Sequence, residues 1–183
     1  MRSATTTAAA LLLTLAVGLL PAAAGTRREI DSAARAALGK LYATTPAAKT
    51  LGSKAAGILV FPNIVKGGFL FGGQYGEGAL FRGGKPVAYY NTLAASYGFQ
   101  AGLQKFGYAL FFMTPSALGY LDASSGWEIG TGPSLTILDE GMAASLSTTT
   151  LRSDVYAFFF DQRGLMGGIG IQGSKITRIT PDP

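Results

Sequence analysis

Residues 67–78, GGFLFGGQYGEG, place six glycines in twelve positions, and no other stretch restricts the possible folds so strongly. Each glycine inside a helix costs about 1 kcal/mol relative to alanine, so a helix through this segment is ruled out and a strongly bent, extended ribbon is expected. The ribbon belongs to a longer unit, Ala55 to Phe81, that opens with the continuous apolar run Ile58-Leu59-Val60-Phe61. A short uninterrupted run of this kind reads as a buried strand. Pro62 and Asn63 are expected to stop it, because proline cannot donate to a ladder and asparagine tolerates turn geometry.

The rest of the chain supplies enough apolar material to cover such a ribbon. Apolar residues make up 48% of 183 residues and charged ones 14%, which fits one packed domain and excludes disorder. Cysteine and histidine are both absent. That removes disulfide frameworks, thiolate zinc sites, cysteine nucleophiles and the Ser-His-Asp triad together.

Residues 1–24 read as a secretory signal: Arg2 as the positive start, Ala8 to Leu20 as the apolar stretch, and Ala22-Ala23-Ala24 as a small-residue cleavage site ahead of Gly25. A retained membrane anchor is the rival reading, and the apolar stretch is shorter than the roughly 20 residues a spanning helix needs. No cysteine follows it for lipid attachment. The protein is therefore expected to be exported, periplasmic or secreted, with residues 25–183 as a single domain. Its formal charge of +5, lowered by one when Arg2 leaves, is a mild basic bias that favours anionic surfaces.

Thr26-Arg27-Arg28-Glu29 has the spacing of a capping box, and Ile30, Ala34, Ala37, Leu38 and Leu41 then recur at helical spacing. The stripe suits a helix docked on the domain or one lying in a membrane interface. Thr45-Pro46 opens a second helix that stops near Gly57. Arg82-Gly83-Gly84-Lys85 predicts a hairpin turn. Strands are expected over Val87–Tyr97, Phe99–Met113, an irregular Trp127–Leu138, Val155–Phe160, Gly164–Gly173 and Lys175–Ile179. A short helix is expected at Ser116–Leu121 and a loop at Asp139–Thr150. Helices gathered at the N-terminus before seven or eight strands imply an α+β fold, with the helices on a curved antiparallel sheet or partial barrel.

Two glycine motifs imitate nucleotide sites and fail on context. Gly168-Ile169-Gly170-Ile171-Gln172-Gly173 has the letters of a dinucleotide fingerprint, but β-prone residues follow where a helix must start. Gly78 to Lys85 lacks phosphate-loop spacing, because Pro86 stands where Ser or Thr is required. No cofactor or metal is expected. Among the carboxylates Glu77 stands out, set between Gly76 and Gly78; paired with another carboxylate it is the one candidate for hydrolysis, and the bland reading is an outward-facing charge.

Lys54, Lys66, Arg82, Lys85 and Lys105 surround the ribbon and are the candidate anion-binding residues. Each Lys or Arg near an anionic bilayer contributes on the order of 1 kcal/mol. Their scatter argues against nucleic acid.

The block AAGILVFPNIVKGGF at 55–69, continuing to Gly72-Gly73-Gln74-Tyr75-Gly76-Glu77-Gly78, resembles the SYLF domain family. Tyr97-Gly98-Phe99-Gln100-Ala101-Gly102-Leu103-Gln104 is similar to the family's G-x-Q-x-G-x-Q run, and the resemblance takes in Phe112-Met113-Thr114 and Trp127, covering about 33–179. It implies lipid binding, in eukaryotic members with phosphoinositides and actin-linked membrane traffic, and it brings no catalytic residues. The expectation is thus a non-enzymatic module that binds an anionic phospholipid or membrane surface in the cell envelope. The alternative is a structural envelope protein assembling through its glycine and aromatic strands.

Overall fold

The computed structural model describes residues 24–122, 126–138, 152–164 and 171–183; side chains at 69–71, 96–101 and 164 are outside that description. Helix α1 (Arg27–Thr44) begins with the expected capping box: Thr26 accepts from the Glu29 amide, and the Glu29 carboxylate accepts from the Thr26 amide. Its stripe buries Ile30, Ala34 and Leu41 fully and Ala37 and Leu38 partly. Helix α2 (Pro46–Gly52) has proline in its first turn and ends before Gly57, which instead starts a strand.

Strands β1 (Gly57–Arg82) and β2 (Lys85–Phe112) form one long antiparallel hairpin closed at Gly83 and Gly84, both at positive φ. Pro62 and Asn63 do not stop β1. They fall at a register shift between Phe61 and Ile64, where a bulge absorbs the proline's missing donor. Likewise β2 runs unbroken through the two segments the sequence separates at Gly98.

The hairpin folds back on itself. A β carbon on Gly78 would lie 2.3 Å from the Val60 carbonyl oxygen, and one on Gly76 would lie 2.6 Å from that of Asn63. The two halves of β1 therefore approach as closely as bare backbone permits, which is why glycine alone fits there.

Past Thr114, a short helix α3 (Pro115–Gly119) and one 3₁₀ turn (Tyr120–Asp122) lead to β3 (Trp127–Glu128) and β4 (Leu135–Leu138), with turns between them. Strands β5 (Val155–Gly164) and β6 (Lys175–Ile179) complete the sheet. Among the described residues there are six strands, or eight when the halves of the bent β1 and β2 are counted separately. The architecture is the expected α+β curled sheet, a half-barrel, with one correction: β4 pairs parallel to β5, so the sheet is mixed. The expected signal segment up to residue 23, all of the expected loop at 139–150 and residues 165–170 of the strand expected at 164–173 lie outside the described residues.

Strand alternation divides the core in two. Leu59, Phe61, Tyr108, Leu110 and Phe112 point into the curl with Trp127, while Ile58, Val60, Phe111 and Phe158 point outward under α1 and α2. Both faces of β1's first segment are covered, which explains its uninterrupted apolar run.

Candidate functional site

The fold-back of β1 leaves a groove of about 600 Å³ in its mouth. Pro62, Asn63, Val65 and Gly67 line one wall, Gly73 to Glu77 the other, and Glu29, Ile30 and Ala33 of α1 close one side. The register sets Tyr75 opposite Leu93 and Gly67 opposite Leu103, and a β carbon on Gly67 would lie 3.3 Å from the Leu103 side chain. Four large apolar side chains consequently stand in solvent along this region: Leu103 is 59% exposed, Leu93 57%, Val65 43% and Tyr75 39%. A run of exposed apolar side chains beside a groove is characteristic of an interaction surface rather than of scattered surface hydrophobes.

The polar groups of the groove are organised. Glu77 is half-buried and accepts two hydrogen bonds, from the Gly25 amide at 2.9 Å and the Tyr75 hydroxyl at 2.7 Å. Burial, reinforced by the Glu77 carboxylate, pushes the Tyr75 hydroxyl up to about 12. Glu29 is occupied by the capping box, whose hydrogen bonds from Thr26 hold its carboxyl below the ordinary range. Deeper in, Gln74 donates to the buried Ser174 hydroxyl at 2.8 Å, tying the ribbon to the turn before β6.

The five basic candidates separate. Lys105 is the register partner of Val65 and shares its face of the sheet, beside the apolar strip, whereas Lys66 pairs with the buried Gln104 on the next rung and by strand alternation belongs to the opposite face. Arg82 and Lys85 pair at the hairpin tip. Lys54 stands apart from both pairs, in the turn between α2 and β1. The tip contains a third cation that the sequence reading missed: Arg35 of α1 donates to the Gly84 carbonyl at 3.1 Å and stacks over the Phe81 ring. The signal was available, since Arg35 lies off the buried stripe of α1, but its direction became visible only once the helix lay along the hairpin.

One further cation is paired away from the groove. Lys40 pairs with Asp161, whose φ of 53° is the only positive value at a non-glycine residue among those described, beside a smaller cavity of about 200 Å³ under α1. Among the described residues no three carboxylates gather in a way that could hold a metal, and no helix is long and apolar enough to cross a membrane.

A family model described as Las17-binding protein actin regulator, Ysc84, matches residues 93–180. The match supports a protein of the SYLF domain family. No curated protein matches it. The matched segment of the SYLF domain begins at Leu93 and runs through β5 and β6, so it includes Leu93, Leu103 and Lys105 from one strand of the groove. The opposing strand, with Val65, Lys66, Tyr75 and Glu77, precedes it and carries the glycine block on which the resemblance in sequence rests.

Proposed function

We propose that this SYLF domain is a non-enzymatic module, exported to the cell envelope, that binds anionic phospholipid at a membrane surface. The observation that carries the reading is the exposed strip of Val65, Tyr75, Leu93 and Leu103 along an apolar groove, with Lys105 on the same face opposite Val65. Apolar side chains enter the acyl boundary while Lys105 meets headgroup phosphates, a division of labour that makes both terms additive at a bilayer. Arg35, Arg82 and Lys85 supply a second basic patch at the hairpin tip.

Co-sedimentation with phosphatidylcholine vesicles containing increasing phosphatidylglycerol tests this. Bound protein is expected to rise with the anionic fraction and to fall with salt, since exposed charges are screened. A Leu93→Asp, Leu103→Asp double variant is expected to lose binding while melting at an unchanged temperature, both positions being exposed. Changing Lys54, Lys66, Arg82 and Lys85 to Ala is expected to flatten the dependence on anionic lipid. Equal pelleting with and without vesicles would sink the proposal, and concentration-dependent oligomers in sedimentation velocity would then favour assembly through the strands.

A further inference from the structure

The seat occupied by Gly25 has features that a mid-chain residue does not need. Its nitrogen lies 2.9 Å from Glu77 Oε2, across 52 residues of sequence and partly shielded from solvent. A β carbon at position 25 would come within 3.2 Å of both that carboxylate oxygen and the Ile30 side chain, so glycine is the residue that fits closely. The carboxylate is oriented from its other oxygen by the Tyr75 hydroxyl at 2.7 Å. Ala24, one residue earlier, is exposed. A carboxylate held by the Tyr75 hydroxyl and aimed at a backbone nitrogen next to an expected small-residue cleavage sequence is arranged for a cation.

We propose that proteolytic removal of residues 1–24 makes Gly25 the first residue, and that its new α-ammonium forms an ion pair with Glu77 at the rim of the groove. A peptidase adds water across the Ala24–Gly25 peptide bond; the Ala24 carbonyl becomes a carboxylate, and the Gly25 nitrogen leaves as an amine that is protonated at neutral pH. The neutral amide donor at Glu77 is thereby replaced by a charged one, and a charge-assisted hydrogen bond is about twice as strong as a neutral one. Processing also changes the groove. Glu77 is one of two carboxylates on its wall, and Glu29 is engaged by Thr26. Neutralising Glu77 removes the charge that would repel an anionic headgroup from the apolar strip. This last consequence rests on the lipid-binding reading; the ion pair does not.

The test expresses the full chain in an exporting bacterial host, isolates the product, and measures its mass and the rate at which its α-amine is acylated by an amine-reactive ester at neutral pH, without any lipid. The product is expected to begin at Gly25, and its α-amine to react roughly 10-fold more slowly than in Glu77→Gln, one unit of pKa being one decade in free amine. A product that retains residues 1–24 or begins elsewhere overturns the proposal, as does equal reactivity in the two proteins. Should Glu77→Gln fail to fold, a chain beginning at Ala24 serves as the comparison: its displaced amine is expected to react about 10-fold faster than that of the Gly25 chain, and equal rates overturn the ion pair. Because vesicles play no part, failure here is distinguishable from failure of lipid binding.

Discussion

Gly78 and Val60 touch backbone to backbone: a β carbon at position 78 would lie 2.3 Å from the Val60 carbonyl oxygen and 2.7 Å from the Phe61 ring. That single approach lets β1 close on itself. Gly78→Ala is therefore expected to destabilise by about 3 kcal/mol, the upper part of the range for overpacked sites, because the obstacle is main chain and cannot rotate away. Gly39→Ala is expected to do the opposite. Gly39 is an exposed glycine inside α1, where nothing lies within 4 Å of the added carbon, so the helix should gain about 0.5–1 kcal/mol. Urea denaturation of the two variants checks both signs.

The Tyr108 hydroxyl, fully buried, donates to Thr92 Oγ1 at 2.9 Å inside the curl. Thr92→Val keeps the shape and strands the hydroxyl, at an expected cost of about 1–3 kcal/mol. Adding Tyr108→Phe is expected to recover most of that loss, since neither polar partner then remains; a double-mutant cycle by thermal or urea unfolding measures the coupling.

Tyr75 is expected to titrate late. Its hydroxyl is raised to about 12, first by burial and then by Glu77. Tyr108, fully buried, is raised as well, so in an ultraviolet alkaline titration Tyr75→Phe should remove one of the late-titrating phenols and leave the others. Glu77→Gln is expected to bring that step down only part of the way, because burial, the larger cause, stays. A raised phenol stabilises the fold below pH 10 relative to higher pH, so this contribution is lost as pH climbs toward 12.

Asp154 works at the other end of the scale. The Ser134 hydroxyl and amide both donate to its carboxylate, which holds its pKa below the ordinary 3.8. A depressed carboxyl contributes stability above its unfolded value and loses it as pH falls through the folded one, so the effect should fade below about pH 4. Melting temperatures from pH 5 down to pH 2 are expected to fall less steeply in Ser134→Ala than in the parent.

Much of this was legible from local chemistry. The capping box at Thr26 and Glu29, the proline opening α2 and the Gly83-Gly84 turn are each decided by residues within four positions, and each forms where its spacing says. Pro62 misled because its effect depends on a partner strand: a bulge opposite Gly107 lets the ladder continue, and nothing near Pro62 in sequence announces Gly107. The same limit hid the parallel pairing of β4 with β5. Among the site residues, Lys66 and Lys105 were recognisable as charges near the ribbon, but that Lys105 lies beside Val65 and Lys66 on the other face follows from the hairpin register. Glu77 was noticed for its glycine neighbours, and its partner Gly25 lies 52 residues away.

Strand β2 is paired with β1 along its length, with β6 at Tyr89–Leu93 and with β5 at Gln104–Phe112. Inserting one residue within it would turn every later side chain to the opposite face and set it out of step with two partners at once. Descendants of this chain are thus free to vary the composition of β2 far more readily than its length, and changes in length should accumulate at the Gly83-Gly84 turn, where an added residue disturbs no rung.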